Sequence, residues 1–436
     1  MDESADKSKP EEGRAERLRQ LVAVFLKLGC IGFGGPAVHF ATIEEEAVKR
    51  RGWLSHQHYL DIVGSTNLIP GPNSTEVAMH VGYHRAGLLG LVVAGVSFIL
   101  PAALLTLVFA WVYVTYGEYV FIKPVLLGVK PAVIAVILAA GWRLGRKALR
   151  GWSLVVICLA ALIGSLAGQE TIRTLLVVSL IGLFWLRWTK YRGGAPTSFA
   201  ALFMALVASW GAPRATKAAQ LGGRCALGAL AATAGSAAAA PVTYWQMALL
   251  FLKVGAVLYG TGYVLVAYLN GGLVDQLGWL TEDQILDAFA VGNLTPGPIL
   301  STATFIGFIL FATPQDPAAG LAGAAVATIC IFLPSFFFVA VLGPIIPRLR
   351  QSRWAAAFLD AVNAASIGLI AAVTLKLCGQ IFLVWPENAG PWNIVWPACL
   401  IAVIAAAVHF RYRVPTVWLV IGGGLLGWLF SLAGAF

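Results

Sequence analysis

The chain of 436 residues is 59% hydrophobic and only 11% charged, with a formal net charge of +10. Soluble domains carry roughly 25% charged residues, so this composition excludes an ordinary soluble protein. From about Leu88 onward, apolar runs near or above the ~20 residues that cross a bilayer as a helix recur, and they predict an all-α polytopic membrane protein. The basic residues stand in short clusters between these runs, where topology signals belong, so no nucleic-acid binding is expected.

The first elements in the chain are a charged tail and two broken apolar segments. Residues 1–17 lack the apolar core of a secretory signal peptide and are predicted to form a disordered cytoplasmic tail. The two segments carry helix breakers near their middle, Gly32–Pro36 and Pro70-Gly71-Pro72, and basic residues precede, separate and follow them. Because these basic residues favour one side of the membrane, each segment is predicted to be a re-entrant hairpin. A continuous helix kinked at proline is the alternative.

The same elements return later in the chain, in the pairs FLKLGCIGFGGPAVHFA and FLKVGAVLYGTGYVLVA, NLIPGPNSTE and NLTPGPILST, and FILPAALL and IFLPSFFF. Such self-similarity predicts a duplication, with one transporter repeat at residues 18–192 and another at residues 242–436. Each repeat is expected to hold two re-entrant hairpins and about four spanning helices. The linker, residues 193–241, is expected to cross the membrane once, through Ser198–Trp210 or the alanine-rich run Cys225–Ala240.

Loop charges predict that the two repeats have inverted topology, because cytoplasmic loops carry an excess of Lys and Arg. After the first hairpin the first repeat has Lys49–Arg51, whereas the second has Asp275 and Asp283. Further on, the basic cluster Arg143–Arg150 is matched in the second repeat only by Glu387. We therefore expect a multi-pass protein of the bacterial inner membrane, with its N-terminus cytoplasmic and its C-terminus periplasmic.

The breaks predict an anion-transport site. Unwound backbone is tolerated inside a bilayer only where protein covers it or where it lines a watery cavity, and broken helices at matched positions of inverted repeats mark such a site. A helix that begins at a break presents free N–H groups and about half a positive charge, which suits an anion. The predicted anion-binding residues are Lys27, Gly34, Gly35, His39, Asn67, Gly71, Asn73, Ser74, Thr75, Lys253, Gly260, Thr261, Asn293, Thr295, Gly297, Ser301 and Thr302. The residues predicted to serve coupling or structure are Glu76, Glu44, Asp61, Asp287, Pro70, Pro72, Pro296 and Pro298.

The two intramembrane lysines have competing explanations. Lys27 and Lys253 are repeat partners, and together they would balance the charge of a divalent anion. Asp61 and Asp287 are repeat partners as well, so a Lys–Asp pair that pins one hairpin to the next is the favoured alternative. Snorkelling of the lysines to the interface is a third.

The acids and His39 also carry alternatives. Glu76 aligns with Thr302, so it has no acidic counterpart, and a carboxylate at membrane depth can carry a coupled proton. Capping of the helix that begins after the Pro-Gly-Pro break is the other explanation. Glu44 is expected in an interfacial cluster with Lys49–Arg51. His39 either donates to an anion or packs in the core.

The remaining motifs exclude other chemistries. The six cysteines are scattered without C-x-x-C spacing, and His80 and His84 lack the further ligands of a metal site. No nucleophile and base stand in a catalytic arrangement. We therefore expect no metal, no cofactor and no enzyme activity. Small residues such as those from Gly423 to Gly427 permit helix association, and a homodimer is one expectation.

The motifs resemble the chromate ion transporter (CHR) family in its long-chain, two-repeat form. The resemblance rests on FGGP-x-x-H after an F-x-K-x-G start, W-L followed by PGP, and a second F-x-K-x-G, W-L and N-L-T-P-G-P with T-F-I-G-F, and it covers nearly the whole chain. It implies secondary active export of chromate from the cytoplasm and chromate resistance, with sulfate as a related anion. Alternating access is the expected mechanism, with proton coupling or antiport of a counter-anion; a sulfate or other oxyanion uptake permease and an anion channel are the alternatives. The second copy has Tyr259 to Gly262 where the first has Phe33 to Pro36, so the two tips need not contribute equally.

Overall fold

The computed structural model describes residues 13–33, 35–117, 122–192, 242–259, 262–343, 352–384, 393–412 and 414–433. Within these ranges the protein is helical apart from one two-residue antiparallel ladder. Four of the described helices are long and apolar enough to cross a membrane. The predicted all-α polytopic membrane protein is therefore confirmed. The linker at residues 193–241, with its expected crossing, lies outside the described residues.

The N-terminal half begins with the two broken segments. Helix α1 (Arg14–Ile31) ends at the first break, and α2 (Pro36–Glu44) continues into a π-helical turn (Glu45–Arg50). Helix α3 (His56–Thr66) ends before the second break, after which α4 (Asn73–Tyr116) begins. Proline occupies the first turn of α2, where its missing N–H costs no hydrogen bond.

Helix α4 consists of two helical segments that fold back on each other. Ala86 and Gly87 have non-helical backbone angles, and Gly87 has φ +65°. Gly82 and Gly90 therefore meet backbone to backbone, with no room for a side chain on either. Residues 73–85 form the returning arm of the second hairpin, and residues 88–116 form a long apolar helix.

Three helices complete the N-terminal half: α5 (Ile122–Ala148), α6 (Trp152–Leu166) and α7 (Thr171–Arg192). The C-terminal half repeats this order with shorter pieces around its breaks. It comprises α8 (Tyr244–Val257), a 3₁₀ turn (Gly262–Val264), α9 (Leu265–Leu269), a π-helical turn (Asn270–Gln276), α10 (Glu282–Leu294), a second 3₁₀ turn (Ile299–Ser301), α11 (Thr302–Phe311), α12 (Pro317–Leu342), α13 (Arg353–Phe382), β1 (Leu383–Val384), β2 (Asn393–Ile394), α14 (Trp396–Tyr412) and α15 (Thr416–Leu432).

Contacts in the N-terminal half join residues that precede a break to residues that follow one. Arg85, at the end of the second segment, donates to Gln20 of α1. The rings of His58 and His84 lie 5.1 Å apart, so α3 begins beside the point where the returning arm ends. Lys27 reaches Glu46 beyond the first break. The breaks therefore reverse the chain direction, as hairpins require, and the kinked-helix alternative is wrong.

The same close helix contacts recur in both halves. Gly29 of α1 lies against the carbonyl of Phe98, and Gly255 of α8 lies against the carbonyl of Ile331. Likewise, Gly307 and Gly323 touch across the turn between α11 and α12, as Gly82 and Gly90 do in α4. At each of these places only a hydrogen in the place of a side chain lets the backbones approach so closely.

The long central helices each pack on the other half. Helix α5 packs against α13, α14 and α15, and α13 packs against α6 and α7. Gly128 of α5 lies directly on Gly423 and Gly427 of α15, and Gly368 of α13 lies on the carbonyl of Cys158 in α6. The small residues from Gly423 to Gly427 thus mediate helix packing within one chain.

Candidate functional site

The tips of the broken segments are joined across the two halves by a reciprocal pair of backbone hydrogen bonds. The N–H of Gly71 donates to the carbonyl of Leu258 at 2.7 Å, and the N–H of Gly297 donates to the carbonyl of Gly32 at 2.9 Å. Gly32 and Leu258 align in the sequence repeat, as do Gly71 and Gly297. Each bond thus ties a Pro-Gly-Pro glycine of one half to the carbonyl that ends the first helix of the other, a group that would otherwise lack a helical partner.

Neither of the two Pro-Gly-Pro glycines could carry a side chain without strain. Gly71 has φ +146° and Gly297 has φ +98°, a region that other residues adopt only with strain. A β-carbon on Gly71 would also overlap Ser335 Oγ and Glu76 Oε1. The neighbouring prolines Pro70, Pro72, Pro296 and Pro298 are all buried in these tips.

A small cavity of about 30 Å³ lies where the tips meet. Helix α2 begins there behind Gly35, α4 begins there behind Pro72, and the 3₁₀ turn before α11 begins there behind Pro298. First-turn N–H groups have no helical acceptors, so these helix starts give the cavity a positive potential without a cation. The cavity is lined by Gly35, Pro36, His39, Pro72, Asn73, Ser74, Gly262, Gly297, Pro298, Ile299 and Leu300.

The imidazole of His39 lies at this cavity and is buried. Its Nε2 donates to the carbonyl of Gly32 at 2.8 Å, because a carbonyl can only accept. Its Nδ1 has no hydrogen-bond partner among the described residues. The ring therefore supports the tip of the first hairpin, and it donates to an anion only if Nδ1 gains a proton.

Neither predicted lysine lies at the cavity. Lys27 is half exposed and donates to Glu46 Oε1 at 2.9 Å. Lys253 donates to Glu170, at the start of α7. The acids beside the lysines are thus Glu46 and Glu170, whereas Asp287 accepts from Tyr113 at 3.0 Å. The expectation that each lysine pairs with an aspartate is therefore wrong. The acids that contact Lys27 and Lys253 are the glutamates Glu46 and Glu170.

The predicted interfacial cluster of acids and bases is present at the end of the first hairpin. Glu46 accepts from Lys27 and Arg51, and Glu45 lies 3.3 Å from Lys49. The hydrogen bond from Lys27, with help from Arg51, lowers the pKa of the Glu46 carboxyl against the opposing effect of burial. Glu44 lies 2.9 Å from His56 Nδ1 and so serves structure in this conformation.

The polar side chains at the C-terminal tip are largely satisfied within the chain. Asn293 donates to the carbonyl of Phe289 at 2.8 Å, and Thr302 donates to the carbonyl of Ile299 at 2.7 Å. Thr295 lies 3.4 Å from the hydroxyls of both Ser301 and Thr106. All four predicted ligands here are buried, and none of them lines the cavity.

The N-terminal tip is different, because several buried polar groups there lack partners. Asn73 donates to Asn67 at 3.0 Å, and Ser74 lines the cavity. Thr75 and Glu76 are fully buried, and neither the Thr75 hydroxyl nor the Glu76 carboxyl has a partner among the described residues. The predicted burial of Glu76 is confirmed, whereas the capping alternative finds no hydrogen bond to support it.

Some predicted residues cannot be placed in this site. Gly34, Gly260 and Thr261 lie outside the described residues. Asp61 is exposed at the start of the second hairpin, away from the cavity. Among the described residues no cluster of three or more His, Cys, Asp or Glu could hold a metal ion.

Sequence reasoning missed two residues at the site. Ser335 of α12 lies beside Gly71, with its hydroxyl buried and without a partner among the described residues. Tyr113 of α4 joins the halves through Asp287. The repeat alignment carried a signal for Ser335, because FILPAALL aligned with IFLPSFFF places it opposite Ala102. For Tyr113 we find no such signal.

Comparison with known proteins gives a consistent result. A family model described as "Chromate transporter" matches the chain twice, over residues 19–188 and 245–428. The chain is 28% identical over 418 residues to a "Chromate transport protein" of Cupriavidus metallidurans, covering 94% of this chain and 92% of that protein. It is 30% identical over 421 residues to a "Chromate transport protein" of Pseudomonas aeruginosa, with the same coverage of 94% and 92%. A "Probable chromate transport protein" of Synechococcus elongatus is 29% identical over 375 residues, covering 84% of this chain and 86% of that protein. No solved structure matches the chain.

Proposed function

The chain belongs to the chromate transporter family, and on that premise we propose that it exports chromate from the cytoplasm by secondary active transport, with an anion site at the meeting point of its four broken segments. Chromate is a tetrahedral dianion, and helix N-termini and hydroxyl groups are suitable partners for its oxygens. The relatives are named as transport proteins, and we propose no enzyme activity.

One observation carries this proposal. The reciprocal hydrogen bonds from Gly71 to Leu258 and from Gly297 to Gly32 hold tips of both halves around one cavity. Helices begin at that cavity from both halves, so their dipoles add there. A site shared between two halves is what alternating access requires, because movement of one half against the other then changes its exposure.

We further propose that residues 18–192 and 242–436 form two repeats of inverted topology. The family model matches these two regions separately, which supports the division. In the N-terminal half the outer ends of the hairpins meet at Arg85 and Gln20. In the C-terminal half the outer end of the second hairpin meets the opposite end of the spanning helices, because Asp283, at the start of α10, contacts Lys130 in the first third of α5.

The orientation follows from the charges at these two ends. The basic cluster around Lys49–Arg51 and Arg85 favours the cytoplasm. We therefore propose that the N-terminus lies in the cytoplasm and the C-terminus in the periplasm, in a bacterial inner membrane. The charged tail at residues 1–17 then lies in the cytoplasm.

The test is chromate uptake into everted membrane vesicles, which corresponds to export from cells. Pro72→Ala and Pro298→Ala each remove a proline that holds a helix start at the cavity. We expect each variant to reach the membrane and to lose chromate uptake. Pro317→Ala is the matched control, because Pro317 begins α12 at a distance from the cavity and its loss should leave uptake unchanged. Normal uptake in both cavity variants would count heavily against the proposal.

The same vesicles separate the rival functions. A sulfate or other oxyanion uptake permease would move its anion in the opposite direction. A channel would give anion flux that neither saturates nor responds to a proton gradient. Sulfate in excess should compete with chromate if both dianions use this cavity.

A further inference from the structure

One buried carboxyl near the cavity has no role in the function proposed above. Glu76 lies two residues beyond Ser74, which lines the cavity, and its side chain is fully buried. Neither carboxyl oxygen has a hydrogen-bond partner, and no Lys, Arg or His among the described residues forms an ion pair with it. An ionised carboxylate in such a place is costly, and a bound proton removes that cost.

The groups around Glu76 suit a carboxyl that gains and loses a proton. Ser335 Oγ, from α12 of the other half, lies with Glu76 Oε1 against the same side of Gly71. The hydroxyls of Ser335 and Thr75 are both buried and have no partners among the described residues. The other titratable groups facing Glu76 are Tyr259, at the end of α8, and His80, one turn further along α4.

The corresponding place in the C-terminal half has no acid. Thr302 aligns with Glu76 and bonds to its own backbone, and Ala102 stands where the other side has Ser335. A β-carbon on Gly297 would meet the methyl group of Ala102 at 3.0 Å. The chain therefore has one such carboxyl among the described tips and not two.

We propose that Glu76 is a proton-binding site that is loaded together with the anion, so that one proton accompanies each dianion across the membrane. An anion at the start of α4 would be repelled by an ionised Glu76, and a proton on the carboxyl removes this repulsion. Binding of one ligand therefore favours binding of the other, and this coupling acts equally in both directions. At an alkaline pH, where the carboxyl is ionised in the anion-free protein, binding of the anion draws one proton from solution and makes the acid neutral; release of the anion returns the proton.

This inference rests on the proposed anion function and adds the ion that moves with the substrate. A dianion and a proton together carry one net negative charge. A membrane potential that is negative inside therefore drives the pair outward. A proton gradient directed inward opposes that export.

The test measures proton uptake and anion binding by the purified full-length protein in detergent. Chromate is added in weak buffer with a pH indicator dye, over the alkaline range in which chromate remains a dianion. For the wild type we expect uptake of about one proton per bound anion, and an apparent affinity that falls up to about tenfold per pH unit on the alkaline side. For Glu76→Gln, which keeps the size of the side chain, we expect anion binding without proton uptake and without this pH dependence.

Three further variants make the test specific. Glu45→Gln removes a half-buried carboxyl from the π-helical turn, far from Glu76 in sequence, and it should retain the proton uptake of the wild type. Glu76→Asp keeps a titratable acid, and it should retain proton uptake with a shifted pH midpoint. Ser335→Ala removes the neighbouring hydroxyl, and it should shift the midpoint without abolishing the uptake.

The outcomes separate the inference from the function on which it rests. Proton uptake that is the same in Glu76→Gln as in the wild type would overturn the inference alone. If Glu76→Gln does not fold, loss of proton uptake in Glu76→Asp with anion binding intact would overturn it. A wild-type protein that binds neither chromate nor sulfate would overturn the proposed function and the inference with it.

Discussion

The hairpins of the two halves are related in sequence but differ in their surroundings. Asn67 is exposed, whereas its counterpart Asn293 is only 5% exposed. Leu60 is 45% exposed, whereas its counterpart Leu286 is 1% exposed. The C-terminal hairpins contact α5, α13 and α15 as well as α12, whereas α1, α2 and α3 of the N-terminal hairpins contact mainly one another and α4. The same structural unit is thus present twice: the N-terminal hairpins are open, with these positions exposed, and the C-terminal hairpins are closed, with the equivalent positions buried.

Two polar contacts join the closed C-terminal hairpins to the N-terminal half. Tyr113 of the N-terminal half donates to buried Asp287, and Lys130 lies 2.9 Å from Asp283. Asp61, the counterpart of Asp287, is exposed. In the proposed mechanism this conformation gives the anion access beside the N-terminal hairpins and blocks it beside the C-terminal ones. The opposite conformation would exchange the two environments, which is how inverted repeats support alternating access.

The largest expected effect separates the two Pro-Gly-Pro glycines. A methyl group on Gly71 would overlap buried Ser335 and Glu76, whereas on Gly297 the nearest atom is 3.0 Å away. Both changes introduce backbone strain, but only the first also overpacks the core. We expect Gly71→Ala to destabilise the protein by ~3 kcal/mol or more and Gly297→Ala by ~1–2 kcal/mol. Thermal unfolding in detergent and chromate transport are the measurements, and equal losses would contradict the predicted difference between the tips.

A smaller effect concerns chemical access to the two asparagines. In a background without the six native cysteines, Asn67→Cys should react with a water-soluble thiol reagent at least about tenfold faster than Asn293→Cys. The reason is the difference in exposure of the two positions. Labelling in everted vesicles and in intact cells also tests the orientation. Equal rates from the same side would refute the assignment of one open and one closed hairpin pair.

Removal of the Tyr113 hydroxyl should destabilise the closed arrangement of the C-terminal hairpins. Tyr113→Phe leaves Asp287 buried without this donor, which costs ~1–3 kcal/mol in the closed arrangement. We expect faster labelling of Asn293→Cys in this background, by several fold, with little change at Asn67→Cys. Tyr116→Phe is the matched control, because Tyr116 lies one turn further along the same helix. A parallel increase at both asparagines would indicate general loosening instead.

The smallest effect is on acid stability. Lys27 lowers the pKa of Glu46 below the ordinary value of 4.5, so the ionised carboxyl contributes stability at neutral pH. That contribution is present above 4.5 and is lost as the pH falls through the lowered value of the folded protein. Glu46→Gln should therefore unfold at a modestly lower temperature at pH 7, with the difference from the wild type vanishing in acid. Its counterpart in the C-terminal half is Gly272, so no corresponding acid effect is expected there.

Much of this arrangement could be predicted from the sequence because the governing signals are local. Pro70-Gly71-Pro72 cannot continue a helix, and the basic residues on either side determine where the chain reverses. The absence of an acidic partner for Glu76 in the second copy likewise marked it as unusual, and its burial agrees. The meeting of four tips also followed from duplication, because two copies of one unit place equivalent breaks at equivalent depths.

The partners of single charges could not be predicted in this way. Lys27 bonds to Glu46, which lies in the π-helical turn at the end of the first hairpin, and nothing in the sequence reports that turn. Asp287 meets Tyr113 from the other half, a contact that depends on how the halves pack. Contacts between side chains far apart in the sequence depend on how the helices pack. A repeat alignment identifies equivalent positions in the two halves, but it does not show which residues touch.

The packing of α5 and α13 has a consequence for how such a protein could arise. Gly128 of α5 is seated on Gly423 and Gly427, and Gly368 of α13 is seated on Cys158, so each half covers the central helix of the other. A chain of half this length would leave that helix uncovered until a second copy supplied the missing surface. On the proposed inverted topology, a half-length ancestor would have to pair two copies inserted in opposite directions, and fusion of the two genes would make that pairing permanent.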